Sequence, residues 1–390
     1  MEQTGTHAVL TSPSTPMTGV TEFTVTKQDL LKELSELQKV VQRKSTVPIL
    51  VNILVQATGN LLALTATDLD LSLRTTCPAR VKREGSCTIP AHKLHDYVRL
   101  LEDGDVTIRL LENNWVQIKS GRSHTKMVGL APEQYPKLPL FPAESAVKLE
   151  SHVMRDLIAK TTFAVSQEES RYTLNGALLL LKPQGVTMVA TDGHRMAYVE
   201  YARSGPGKES RALLPKKALS QLNSLLNSSS SESIQFAQND STLFFVVGNR
   251  LLTTRQIMGT FPNYEVVLRL ENSNRAVLSR DELFTAIQRV AQFSDERMNS
   301  IRVRLAKNEF KVSSSNAETG ESEDIVQTTY AGELKSMTFN SQYLLEFLKA
   351  VDSSSVRLEF KDGESASEFR PEDSMVQDCT YRYVVMPLRV

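Results

Sequence analysis

The chain has 390 residues, 41% of them hydrophobic, which is enough for several cores and, at usual domain sizes of roughly 100 to 200 residues, for two to four domains. Lys plus Arg and Asp plus Glu both number 45, so net charge gives no general attraction to nucleic acid, membrane surfaces or acidic substrates, and any DNA contact must come from local charge segregation. Cys77, Cys87 and Cys379 are too few and too scattered for a disulfide framework and form no CxxC metal pair, which fits a reducing cytoplasm.

The opening stretch, MEQTGTHAVLTSPSTPMTGV, lacks both a basic start and a continuous apolar run, so it reads as neither signal peptide nor transmembrane helix. Its Ser, Thr and Pro content predicts a disordered extension over residues 1–21. No later segment reaches eighteen consecutive apolar residues, so a soluble protein is expected.

From Phe23 onward a pattern recurs: a short alternating strand runs into an amphipathic helix. Phe23–Thr26 leads to a helix over Lys27–Gln42, in which Leu30, Leu31, Leu34, Leu37 and Val41 fall at helical spacing. Ser86–Pro90 leads to His92–Leu101, Val147–Glu150 to Val153–Phe163, and Ala212–Pro215 to Lys216–Leu226. Ala276–Ser279 then leads to Asp281–Val290, and Met337–Asn340 to Ser341–Val351. Strand-like runs separated by turn residues follow the helices, as in Ile49–Val55, Gly59-Asn60, Leu61–Thr65, and in Val106–Leu110, Asn113-Asn114, Trp115–Ile118.

Each unit leaves one helix face and one sheet face to cover, and pairing two units buries both in one core. Six units therefore predict an α+β chain of three similar domains. Pro132, Pro136, Pro139 and Pro142 punctuate the first join and Glu271–Asn274 the second, placing the domains at 22–144, 145–271 and 272–390.

Asp192 and His194, with Asp68 or Asp70 as a second acid, form the one constellation that suggests a hydrolase. There is no HExxH, P-loop, GxSxG or dinucleotide fingerprint beside them, and an Asp two residues before a His suits a turn equally well. No catalytic residue, cofactor or metal is expected.

Six strings, in order, carry a resemblance: Thr46-Val-Pro-Ile-Leu50, Ala66-Thr-Asp-Leu69, Arg171-Tyr-Thr-Leu-Asn-Gly176, Ala190-Thr-Asp-Gly-His-Arg195, Phe261-Pro-Asn-Tyr264 and Tyr383-Val-Val-Met-Pro-Leu-Arg-Val390. Over about residues 22 to 390 the chain resembles the beta subunits of bacterial DNA polymerase III, the ring-shaped sliding clamps. The resemblance implies a head-to-tail homodimer closed around duplex DNA, helices lining the hole, sheets on the rim and no catalytic site. Closure follows when a heterologous contact returns on itself. Holding DNA by topology also fits a neutral chain, because strong phosphate neutralisation would impede sliding.

The same resemblance implies an outward cleft for QLxLF-like motifs on the polymerase III alpha subunit, the clamp loader delta subunit and repair proteins. The matching positions are Leu174, Thr191, Gly193, His194, Arg195, Met196, Pro262 and Val267, with Asn340, Tyr343, Val384, Val385, Met386, Pro387, Leu388 and Arg389. Leu, Val, Pro and Met offer an apolar floor, and His194 and Arg195 are expected at its polar rim. The candidates for DNA phosphates are Lys27, Lys44, Lys93, Arg99, Arg171, Lys216 and Lys217, with Tyr172 as a stacking residue. Met127 and Phe293 fall at the subunit joint. The chain departs from the family pattern at Met196, Leu388, Val390 and Thr125, which puts peptide preference and dimer strength in question. A peptide-binding scaffold that does not encircle DNA is the alternative to a clamp.

Overall fold

Six helices stand where the apolar periodicity places them in the computed structural model, which describes residues 21–202, 209–295, 297–373 and 378–389. They are Lys27–Val40, Ala91–Leu100, Ser151–Thr161, Lys216–Asn227, Arg280–Ala291 and Ser341–Ala350, and each directly follows a strand. The expected extension over 1–21 lies outside the described residues except for Thr21, as does Val390.

Side-chain caps begin three of these helices. Thr26 accepts from the Asp29 amide at 3.1 Å, Ser279 from Glu282 and Asn340 from Gln342, each satisfying an amide that lacks a partner within the helix. Leu30, Leu34 and Leu37 form the buried stripe of the first helix.

Two local readings differ. The strand expected from Ile49 begins at Asn52, because Pro48–Val51 is a 3-10 turn; proline's fixed φ and missing N–H suit the first position of such a turn. A four-residue helix, Tyr264–Val267, follows Phe261; it is too short for periodicity to detect.

The chain forms two compact units: residues 1–155 with 217–256, and residues 156–216 with 257–390. In the first, a five-stranded antiparallel sheet runs Arg80–Arg83, Glu22–Thr26, Asp105–Leu110, Trp115–Ser120, Ser123–Val128. Its eight-stranded sheet joins Val147–Glu150, Ser233–Gln238, Thr242–Val247 and Arg250–Arg255 to Leu71–Pro78, Leu61–Thr67, Asn52–Thr58 and Gly85–Pro90. Arg250 ties this sheet to the first helix: its Nε and Nη2 reach Glu33 at 2.8 and 3.0 Å, with both side chains at most 3% exposed.

In the second unit, eight strands run Ser210–Pro215, Gly176–Lys182, Gly185–Thr191, Arg195–Tyr201, Cys379–Val385, Ser367–Pro371, Ser355–Phe360, Asn274–Ser279. A four-stranded sheet runs Gly320–Gln327, Glu309–Asn316, Ser300–Ala306, Lys335–Asn340. Phe347 of the last helix stacks on Tyr383 at 5.0 Å and packs against Phe369.

The expected middle stretch, 145–271, is thus shared between the two units. Ladder hydrogen bonds explain this: Arg250–Arg255 pairs with Leu71–Pro78, and Arg195–Tyr201 with Cys379–Val385. Alternation shows which face of a strand is buried but not which strand lies beside it.

Candidate partner cleft and charged surfaces

Between the strands Gly185–Thr191 and Arg195–Tyr201, the turn Thr191–Arg195 is built by its own side chains. Asp192 Oδ1 accepts from the amides of His194 and Arg195 at 2.9 and 3.0 Å. Thr191 Oγ1 donates to the Arg195 carbonyl at 2.7 Å and accepts from the Gly193 amide. Gly193 has φ +91°, and a Cβ there would lie 2.7 Å from Arg171 Nη1, so glycine is required twice over. Arg171 itself donates to the Asp192 carbonyl at 2.8 Å.

Thr67–Leu71 repeats this construction, with Asp68 Oδ1 accepting from the amides of Asp70 and Leu71 and Thr67 donating to the Leu71 carbonyl. The aspartates that suggest a hydrolase are therefore occupied in building turns, and Asp192 additionally pairs with Arg195 Nε at 3.0 Å.

Arg195 is not a rim residue; this corrects the expectation from sequence. Its side chain is 7% exposed. It pairs with Asp192 and Glu346, donates from Nη2 to the Phe163 carbonyl at 2.7 Å, and lies over the Tyr343 ring at 4.1 Å. The guanidinium thus joins the turn, the helix Ser341–Ala350 and the segment Thr162–Ala164. A planar fork with five donors can serve several acceptors at once. Glu346 and Phe163 were missed in the sequence, although Tyr343 and Glu346 share a helix face at i, i+3 spacing.

On the opposite face of the sheet lies an apolar cluster that holds Leu174, Met196 and Val384 together with Leu178, Val189, Tyr198, Leu213, Phe261 and Tyr264. Met196 and Val384 are cross-strand partners. Val385, the neighbour of Val384, is fully buried opposite Arg195, so alternation turns it away from this cluster and it cannot share Val384's wall. Beside the cluster, Pro262 and Val267 are exposed.

Met386 ends the strand with its side chain 44% exposed, and its amide donates to the His194 carbonyl at 2.9 Å. His194 is exposed, so it does stand at a rim. Beyond Pro387, the Leu388 amide bonds to the Thr338 carbonyl at 2.7 Å, and Arg389 is exposed. Asn340 is spent on capping its helix.

The candidate cations divide by what they already hold. Lys44, Lys93 and Arg99 are exposed, and Tyr172 is 50% exposed. Lys216 is half-buried. Lys27 is bound to Asp103 and the Leu101 carbonyl, Lys217 to Asp68, and Arg171 to Glu168 as well as Asp192. Met127 lies on Ser123–Val128, an edge strand of the five-stranded sheet. Phe293 follows the helix Arg280–Ala291, and its carbonyl accepts from Ser314.

Family models for the N-terminal, central and C-terminal domains of the DNA polymerase III beta subunit match residues 21–139, 148–263 and 266–389. The chain belongs to this family. It is a DNA sliding clamp, which serves polymerase processivity in replication, with DNA and a polymerase as partners. The beta sliding clamps of Vibrio cholerae and Caulobacter vibrioides (strain NA1000 / CB15N) are 31% and 32% identical to it, each alignment covering 95% of this chain and 100% of the relative. Among solved structures, the Bartonella birtlesii clamp bound to griselimycin superposes with a TM-score of 0.90 at 29% identity. The Pseudomonas aeruginosa clamp bound to griselimycin gives 0.88 at 31%. Each covers 95% of this chain and 100% of the matched one. Among the described residues, no helix of this clamp is long and apolar enough to cross a membrane.

Proposed function

We propose that this clamp acts in the cytoplasm as a non-catalytic, head-to-tail homodimeric ring whose outer cleft captures QLxLF-like motifs of the polymerase III alpha subunit, the clamp loader delta subunit and other replication and repair proteins. The reading divides each chain into domains at 22–144, 145–271 and 272–390. The observation that carries the cleft is the Met386–His194 hydrogen bond. It sets a flexible, exposed methionine at the end of the apolar cluster containing Leu174, Met196 and Val384. Leu and Phe of a motif bury against Leu174, Met196, Val384, Pro262 and Val267, while Gly193, His194, Pro387, Leu388 and Arg389 border the entrance.

Arg195, Tyr343, Asn340, Thr191 and Val385 hold that wall in place from behind. Met386 reshapes for different side chains, as suits a site visited by many partners. A dissociation constant near 1 μM corresponds to about −8 kcal/mol, which a few buried anchors supply while still permitting exchange.

At the subunit joint, the edge strand Ser123–Val128 with Met127 meets the partner copy near Phe293. Lys44, Lys93, Arg99, Arg171, Lys216 and Lys217 face the DNA backbone, with Tyr172 offering a ring to a base. The test of the cleft is binding of a fluorescent QLxLF-type pentapeptide to the full chain and to a version lacking Met386–Val390, both confirmed folded by circular dichroism. Saturable binding lost on truncation is expected; no binding by the intact chain would remove the cleft assignment.

A further inference from the structure

The first unit holds a pocket with about 540 Å³ of empty space that occupies the same place in its eight-stranded sheet as the apolar cluster does in the second unit. The ladders coincide residue for residue. Leu54 pairs with Thr65, Thr65 with Arg74, and Arg74 with Leu251; Leu178 pairs with Val189, Val189 with Tyr198, and Tyr198 with Arg382. The turn beside the pocket is the Thr67–Leu71 copy of Thr191–Arg195, with Leu69 at φ +82° where Gly193 stands at +91°. Across the pocket, Tyr135-Pro136 takes the place of Phe261-Pro262, and the Tyr135 hydroxyl donates to the Thr65 carbonyl at 3.0 Å.

The frame is kept but the chemistry of the floor is inverted. Where the cluster has Leu180, Val189, Met196 and Val384, the pocket has Gln56, Thr65, Ser72 and Thr253, and Tyr198 becomes Arg74. Aliphatic walls remain in Leu54, Leu138 and Leu251, with Leu140 67% exposed at the mouth. The lining carries two cations, Arg74 and Lys137, and no carboxylate.

We propose that this pocket is a second peptide site, specific for an extended segment that presents a carboxylate side chain between aliphatic neighbours. The inference rests on the reading of the second unit's cluster as a peptide cleft, because the shared frame is what makes a bound extended segment the natural occupant. Charge complementarity selects the acid: a guanidinium in a half-buried pocket favours a carboxylate, with hydroxyls and an amide to complete its hydrogen bonds. The flanking leucines supply contact for aliphatic residues on either side. The polar floor also argues against the Leu-Phe pair of the first motif, since burying Ser72, Thr65 and Thr253 under apolar side chains leaves their hydroxyls without new partners.

The probes are fluorescein-labelled Gly-Leu-Glu-Leu-Pro, its Gly-Leu-Gln-Leu-Pro counterpart and the QLxLF-type pentapeptide, measured by anisotropy on the full chain, on Arg74→Gln, and on chains lacking Met386–Val390 or residues 1–20. Saturable binding of the glutamate probe is expected, weakened at least tenfold by Arg74→Gln and by Glu→Gln in the probe, and unchanged by removal of Met386–Val390. The probe substitution leaves the protein untouched, so the comparison holds even where a variant misfolds. The proposal is overturned by absence of saturable binding, by indifference to both charge changes, by loss on removing Met386–Val390, or by binding that appears only after residues 1–20 are removed. The QLxLF probe reports on the first cleft separately.

Discussion

Arg195 shows how one side chain sets the position of several others. Its acceptors are 3, 32 and 151 residues away in sequence, so removing it releases a turn, a loop and a helix together. Arg195→Met is expected to destabilise the second unit by roughly 2–3 kcal/mol, below the 3–5 of a fully buried pair because Glu346 remains partly in water; urea unfolding checks this. Arg195→Lys is expected to recover little, because an ammonium cannot reproduce the fork. At Gly193, alanine would meet both a left-handed backbone and the Arg171 guanidinium, with an expected cost of about 1–2 kcal/mol and weaker pentapeptide binding. The sequence string Thr-Asp-Gly-His-Arg announced the turn, but a charged residue in a turn also reads as exposed, and nothing local revealed the distant Glu346. Burial likewise pushes the Cys87 thiol up to about 12 and raises Cys77 further, so both are expected to resist thiol reagents until the chain unfolds.

Among elements, the strand pairs are secured by buried charge. Glu368, 1% exposed, lies between Arg382 and Arg370, and Arg382 also holds the Leu268 carbonyl at the end of the short helix that presents Val267. Burial works to raise the Glu368 carboxyl, but the hydrogen bonds from Arg382 and Arg370 outweigh it and hold it below its ordinary value of 4.5. A carboxyl depressed in this way is more acidic folded than unfolded, so its stabilisation is present at neutral pH and is lost as pH falls below that value. Glu368→Gln is expected to flatten the fall in stability on that acid limb, as measured by chemical denaturation at a series of pH values. The bidentate Arg250–Glu33 pair plays the same part in the first unit, and Arg250→Met alone should cost about 3–5 kcal/mol by stranding the glutamate. The helices were legible because their apolar stripes repeat every three to four residues and Thr26, Ser279 and Asn340 cap them. Strand partners were not, since alternation at Arg250–Arg255 carries no information about Leu71–Pro78.

At the scale of the whole molecule, charge is balanced overall and the free cations are few, which suits a protein that retains DNA by enclosure instead of by tight contact. Lys44, Lys93 and Arg99 are exposed and make no ion pair among the described residues, so alanine at each is expected to weaken DNA association uniformly across sequences and to reduce its salt dependence by about one charge. Lys217, already neutralised by Asp68, is expected to contribute little. The family strings revealed the clamp, whereas the division into two units depended on ladders that join residues far apart in sequence. The most direct test of the account is retention on DNA: the protein is loaded onto nicked circular DNA by its clamp loader, washed at high salt and challenged by linearisation. Persistence on the circle followed by release from the linear form is predicted. Release from the circle by salt, or retention after cutting, would contradict a clamp that holds DNA by encircling it.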